Sequence, residues 1–174
     1  MPSPWIVQWA GLVAADATVL DVAAGSGRHT RFFADRGNNK VTAIDRDISA
    51  LAAQPNVEIV QADLEDGSPW PLPGRTFGAV VVTNYLHRPL FPALLDALMP
   101  GGVLLYETFM EGNERFGRPS RPEFLLKDGE LLELVRERFS VVAYEARLVS
   151  EPKMAMIQRI AARLIGPRAS RPAS

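Results

Sequence analysis

Cysteine is missing from the chain altogether, which excludes disulfides, thiolate metal sites and a cysteine nucleophile. Histidine occurs only as His29 and His87, too few for a histidine-based metal cluster, and no metal is expected. Long apolar runs are also lacking: Phe77 to Val82 and Val103 to Tyr106 fall far short of the roughly 20 residues a bilayer span requires. No Lys or Arg precedes Arg28, and no continuous apolar core lies near the start, so both parts of a secretory signal are absent. A protein acting in the cytoplasm is the expectation. An excess of one charge is missing as well, since 19 Lys and Arg face 20 Asp and Glu, which argues against a general polyanion binder. The charge is unevenly spread, from −5 over residues 1–112 to +4 over residues 113–174. Arg115, Arg118, Arg121, Arg163, Arg168 and Arg171 are prominent in the basic part, but basic and aromatic residues do not interleave as they do in single-strand binders.

What is present fits one globular domain: 174 residues, 47% hydrophobic and 22% charged, an ordinary balance for a chain of that size. Short β-branched runs alternate with helical stretches, the pattern of a parallel sheet covered on both faces. Strands are expected at Thr18 to Ala24, Lys40 to Asp45, Val57 to Asp63, Phe77 to Asn84 and Val103 to Phe109. The intervening helices are expected at about Arg28 to Arg36, Ile48 to Ala53 and Leu90 to Leu98, the last closed by the turn Pro100-Gly101-Gly102. A short amphipathic helix over Pro4 to Ala15 carries Trp5, Trp9, Leu12 and Val13 at helical spacing. Near the end, a helix at Asp128 to Arg138 precedes strands Ser140 to Leu148 and Met154 to Leu164. The five-residue loop between those strands requires an antiparallel pair. The fold class is therefore α/β, a Rossmann-like doubly wound sheet with an antiparallel end. Residues 1–165 read as the domain and 166–174 as a flexible tail.

The first strand, Val19-Leu20-Asp21-Val22-Ala23-Ala24, runs into Gly25-Ser26-Gly27-Arg28-His29 and a helix. Strand, glycine turn and helix let a ligand approach the backbone and meet free N–H groups. A dinucleotide fingerprint would want Gly or Ala at position 30, where Thr30 stands. No recognisable hydride-transfer set accompanies the turn, which further disfavours a nicotinamide enzyme. Acids end the next two strands, Asp45 and Asp63, and an acid after the second strand suits an unphosphorylated ribose.

With Val41-Thr42-Ala43-Ile44-Asp45-Arg46-Asp47 and Gln61-Ala62-Asp63-Leu64 added, the chain resembles the class I S-adenosylmethionine-dependent methyltransferases. Gly25-Ser26-Gly27-Arg28 followed by Phe33-Ala34-Asp35-Arg36-Gly37 is most similar to the small bacterial tellurite-resistance and thiopurine group. Two positions depart from the family pattern: Ala23 replaces the first loop glycine, and Gly78 replaces an acid near the start of the fourth strand. The resemblance implies S-adenosylmethionine as cofactor, with Asp21 toward the methionine ammonium, Asp45 on the ribose, Asp63 on the adenine amino group and the Leu64 N–H at the ring. Ala23, Gly25, Ser26, Gly27, Arg28, Arg46 and Asn84 complete the implied cofactor surface.

The acceptor side is expected over the carboxyl end of the fourth strand, at Asn84-Tyr85-Leu86-His87-Arg88. Tyr85 offers an aromatic face to a sulfonium. His87 either takes a proton from the acceptor or only caps the following helix. The loop from Glu107 to Pro119 is long enough to carry function, with Arg115 or Arg118 placed to hold an anion. Tyr85, His87 and Arg115 are thus the candidate catalytic residues. The expected partner is a small-molecule acceptor. A tRNA or protein acceptor, or a non-catalytic cofactor-binding subunit, are the alternatives.

Overall fold

A computed structural model describes residues 1–166. Most of the expected tail, including Arg168 and Arg171, lies outside the described residues. The chain builds a seven-stranded sheet in the order β3-β2-β1-β4-β5-β7-β6. The first five strands are β1 (Thr18–Val22), β2 (Lys40–Asp45), β3 (Val57–Gln61), β4 (Phe77–Thr83) and β5 (Leu98–Phe109). They pair in parallel, while β7 (Ala155–Leu164) runs antiparallel to both β5 and β6 (Phe139–Val149). The expected α/β sheet with an antiparallel end is therefore present. Among the described residues no helix is long and apolar enough to cross a membrane.

Period-2 alternation assigns the two faces. Val19, Val41, Ala79, Val81, Val103, Leu105 and Ala161 point to one side, under α1 (Pro4–Trp9) and α2 (Arg28–Ala34). Leu20, Val22, Ile44, Val80, Val82, Leu104 and Ile160 point to the other, under α3 (Phe91–Asp96) and α4 (Glu130–Val135). Central strands buried on both faces explain why they read as continuous apolar runs rather than alternating ones. Trp5 is 1% exposed, and its indole N–H donates to the Ile160 carbonyl at 3.4 Å, so this tryptophan belongs to the core.

Several expected boundaries move. No helix forms at Ile48 to Ala53: Asp47 Oδ1 accepts from the Ser49 N–H at 3.0 Å, and Leu51 N–H closes a turn on Ile48 O. The Asp47 side chain thus takes a backbone donor into a local turn in competition with a helix, and Pro55 closes the segment. Pro100-Gly101-Gly102 does not end an element but forms an irregularity inside β5, which already begins at Leu98; a side chain on Gly102 would meet Met99 O at 2.8 Å. The helix expected to run on to Leu98 therefore stops at Asp96. The N-terminal helix stops at Trp9 and continues as a 3-10 turn over Ala10–Leu12. Asp63 lies two residues beyond the end of β3, not within it.

The two departures from the family pattern have physical accounts. A side chain at Gly78 would meet Ala17 Cβ at 2.9 Å, so an acid has no room there. Ala23 leaves β1 with φ +53°, the left-handed region that a loop glycine adopts without strain. That conformation costs an L-residue about 1–2 kcal/mol, while glycine adds about 0.5–1 kcal/mol of backbone entropy loss. Ala23→Gly should accordingly raise the unfolding free energy by up to about 1 kcal/mol. Urea denaturation is the measurement, and a clear loss of stability would contradict the strain assignment.

Candidate functional site

The site lies at the carboxyl ends of β1, β2, β4 and β5, where a doubly wound sheet opens a crevice. After Ala23 the chain passes through Gly25 at φ +55° and Gly27 at φ +69° before α2 starts. A Cβ on Gly27 would lie 2.8 Å from Leu51 Cδ2, so the segment after β2 presses on this loop; a Cβ on Gly25 would meet nothing within 4 Å. Gly27 is closed by the protein itself, whereas Gly25 faces open space. Ser26 is exposed, and its carbonyl accepts from Arg31 Nη1 at 2.7 Å.

Asp45 fastens this loop. Its Oδ2 accepts from the Gly25 N–H at 2.7 Å and its Oδ1 from the Asp47 N–H at 2.9 Å. The carboxylate is thus oriented by two backbone donors while remaining partly exposed. Asp63 makes a similar local turn, accepting from the Glu65 N–H at 2.9 Å. Ala23, Asp45, Arg46, Asp63 and Leu64 line one cavity of about 420 Å³, together with Ala62, Glu65, Tyr85 and Phe124.

Asp21 sits beneath, 1% exposed, with Thr30 Oγ1 donating to its Oδ2 at 2.6 Å. Burial is the main influence on it and pushes its pKa up to about 6, against the hydrogen bonds from Thr30 and the charge of Arg28. Thr30, the residue that breaks the dinucleotide fingerprint, is the donor that holds this carboxyl group.

Two further cavities continue the cleft. One of about 230 Å³ shares Glu65, Tyr85 and Phe124 with the first and adds Asn84, Thr108 and Phe109. One of about 560 Å³ shares Asn84 and Phe109 with the second and reaches Arg28, Glu107, Lys153 and residues 1–4. Tyr85 therefore stands between the first two, and Asn84, itself at φ +53°, between the second and third. The Tyr85 hydroxyl is buried with no hydrogen-bond partner, and burial, with Glu65 nearby, raises its pKa. It is a neutral phenol over the working range. Tyr106 Oη donates to the Tyr85 carbonyl at 2.8 Å and fixes the backbone there.

His87 and Arg115 are placed differently from Tyr85. His87 precedes the 3-10 turn Arg88–Leu90, makes no side-chain capping bond and lines none of these three cavities. Arg115 is exposed and borders a separate cavity with Glu111, Phe116 and Met156. Arg88 is spent on structure, bonding Glu130 at 2.6 and 2.8 Å and the carbonyls of Glu123 and Leu125. Those contacts hold the segment that brings Phe124 over the cleft.

His29, expected at a helix surface or cofactor edge, is instead 1% exposed. Its Nε2 accepts the Ser3 N–H at 3.0 Å, which leaves the proton on Nδ1, facing Thr83 Oγ1 at 3.2 Å. Burial and Arg28 lower its pKa to about 4, so it stays neutral. Ser3 Oγ donates to Glu107 Oε1 at 2.7 Å, and Glu107 Oε2 pairs with Arg159 at 3.0 Å. Arg159 also pairs with Glu145 at 2.6 Å and lies 4.6 Å over the Trp5 ring. This latch on the N-terminal segment escaped the reading of the residues, because Ser3 lies 26 positions from His29 and 104 from Glu107.

Residues 19–102 match the family model described as a methyltransferase domain. The fold is that of the class I methyltransferases. TehB from Haemophilus influenzae superposes on this methyltransferase fold with a TM-score of 0.77 at 17% identity, covering 94% of this chain and 62% of that one. A ribosomal protein L11 methyltransferase from Geotalea uraniireducens is 33% identical over 112 residues, 57% of this chain and 33% of its own. A trans-aconitate 2-methyltransferase from Rhizobium leguminosarum is 32% identical over 108 residues, 58% of this chain and 40% of its own. The chain thus spans between a third and two fifths of these curated relatives. One is named for a protein and the other for a small acid, so likeness to these methyltransferases leaves the acceptor to be argued from the site.

Proposed function

We propose that residues 1–165 form one domain of an S-adenosylmethionine-dependent methyltransferase that acts on a small-molecule acceptor in the cytoplasm. The observation that carries this reading is that Asp45, which fastens the glycine turn through the Gly25 N–H, and Asp63 line one cavity with Ala23. The donor set fits the cofactor. Asp45 is preoriented yet partly open, as paired ribose hydroxyls require, and Asp63 with Leu64 borders the same cavity. Asp21 is a buried acid whose charge is opposed by desolvation, the situation a ligand ammonium relieves. A cavity of about 420 Å³ is also within the roughly 300–1,000 Å³ of small-molecule sites.

When bound, S-adenosylmethionine supplies a methyl group on a sulfonium that already carries its leaving group. The chain then has mainly to bind, orient and exclude water. Asp45 and Asp63 hold the nucleoside part, Asp21 and Arg28 the amino-acid part, and Tyr85 presents a neutral aromatic wall where the first two cavities meet. A Tyr85 hydroxyl with a raised pKa is suited to hydrogen bonding rather than proton abstraction at neutral pH. The small-acceptor reading is supported by six of the ten Lys and Arg among the described residues from 113 onward being engaged within the protein. Arg121, Arg136, Arg138, Arg147 and Arg159 each meet a carboxylate, and Arg163 donates to the carbonyls of Gly101 and Leu12.

Calorimetry tests the cofactor. S-adenosylmethionine and its demethylated product should bind and NAD should not. Gly25→Val should abolish binding, since its branched side chain enters the open space above the loop. Because Gly25 is at φ +55°, the thermal melt of the variant is recorded alongside. Unchanged affinity in a folded Gly25→Val protein would place the cofactor elsewhere.

A further inference from the structure

We propose that the outer edge of β6 is an interface, and that it pairs antiparallel with the same strand of a second copy of this chain about a two-fold axis at Ala146. β6 ends the sheet and is joined only to β7, so one row of its backbone N–H and C=O groups is left open. Such an edge is a template for another strand, and proteins that stay apart blunt it with proline, lysine or a bulge. Proline, glycine and lysine are all missing from β6. Its irregularity lies between Val141 and Ala143 and leaves Ala143 to Val149 in unbroken register with β7. Val141, Val142 and Leu148 on this strand are apolar yet 42–43% exposed. No residue from Ala143 to Leu148 lines the cofactor cavity, so pairing here leaves that site open.

Charge sets the register and makes an identical strand the fitting partner. Directly opposed residues of an antiparallel pair share a face, so a two-fold axis perpendicular to the sheet passes through a residue and not between two. An axis at Ala146 sets Glu145 opposite Arg147 twice, Tyr144 opposite Leu148 and Ala143 opposite Val149. An axis at Glu145 or at Arg147 sets that charge against itself, which destabilises a pair. An axis at Tyr144 runs Arg147 into the bulge at Val141. Both charged side chains have capacity left. Glu145 accepts from Arg159 through Oε2 alone, at 3.0 and 2.6 Å, and Arg147 donates no hydrogen bond among the described residues, standing 3.8 Å from that same oxygen at 59% exposure. Glu107, Glu145, Arg147 and Arg159 form one neutral cluster, so an exchange of Arg147 between copies leaves no charge unpaired. Attraction comes from the backbone ladder and from Tyr144 against Leu148. Tyr144 packs on the α4 side of the sheet, and period-2 alternation puts Leu148 on the same side.

The chain has no cysteine, so one introduced thiol reports the axis directly. Ala146→Cys sets the thiol opposite its own copy with Cα atoms about 4.5–5.5 Å apart, within the span a disulfide bridges. It should give a covalent dimer with copper-phenanthroline. Ser140→Cys, exposed on the same strand, lies about 40 Å from its copy in this register and should not. Sedimentation equilibrium of the wild-type chain should show monomer and dimer in exchange. Arg147→Glu sets like charges opposite each other at two places and should raise the dimer dissociation constant about 10-fold or more. Circular dichroism checks that this variant folds, and Leu148→Ala, which changes no charge, should raise the constant about 2- to 5-fold. A monomer at every concentration overturns the interface. So does a dimer indifferent to Arg147→Glu and Leu148→Ala whose Ala146→Cys variant cross-links no more than Ser140→Cys, because its contact then lies on another face.

Discussion

Asp45→Ala should weaken binding of S-adenosylmethionine and S-adenosylhomocysteine by about 100-fold, more than the loss of ribose contacts alone would give. Hydrogen bonds to a charged group contribute roughly 1.5–3 kcal/mol each, and this carboxylate has two duties. It faces the cavity, and through Oδ2 it holds the Gly25 N–H at 2.7 Å. Removing it deletes ligand contacts and frees the loop on which the ligand lies. Asp45→Asn separates the duties: the amide oxygen can still accept from Gly25, but the charge that strengthens both sets of bonds is gone, and a loss of about 10-fold is expected. Calorimetry on both variants, with circular dichroism to confirm folding, is the measurement. Equal affinity in wild type and Asp45→Ala would remove Asp45 from the site.

Asp21→Asn should abolish the pH dependence of cofactor affinity and lower its plateau by at least about 10-fold, the value of a charge-assisted contact. In the free protein the Asp21 pKa is raised from 3.8 to about 6 by burial. A raised carboxyl pKa contributes stability that is fully present below about pH 3.8 and is lost as the pH rises through about 6. An ammonium group needs the ionised form, so below pH 6 binding must first expel the proton. Affinity should fall about 10-fold per pH unit there and level off above. Thermal stability is a poor readout of the same event. His29, lowered to about 4 by burial and Arg28, moves stability in the opposite direction over an overlapping range. Titration of S-adenosylhomocysteine at several values between pH 5 and 7 isolates Asp21. A flat wild-type profile would mean that the ligand cation does not approach it.

Much of the cofactor side could be read from the residues because its chemistry is local to strand ends. Asp21, Asp45 and Asp63 each follow or end an apolar run, and the glycine turn is contiguous with β1. The resemblance to a methyltransferase rested on those segments and is matched by the family model over residues 19–102. Glu65 and Phe124 were missed for different reasons. Glu65 is two residues beyond Asp63 and was reachable from the Asx turn that Asp63 makes. Phe124 arrives only because Arg88 ties its segment down from 35 to 42 residues away. The grouping of Tyr85 with His87 and Arg115 assumed that loops following adjacent strands overhang one cleft. In the fold, Arg115 faces a different cavity, and the N-terminal segment stands over the cavity beside Asn84.

The sequence by itself determined where the strands fall along the chain, the mostly parallel sheet with its antiparallel end, the glycine turn and the acids near successive strand ends. These follow from side-chain periodicity, loop length and steric limits on the backbone, all set by residues near one another in the chain. The tertiary structure alone decided which charges are spent and which are free. Arg159 became a half-buried partner of Glu107 and Glu145, His29 became a neutral anchor for Ser3, and Arg88 was tied to Glu130. The reason is physical: the state of a charge depends on burial and on the partners brought within a few ångströms, and those partners come from distant parts of the chain.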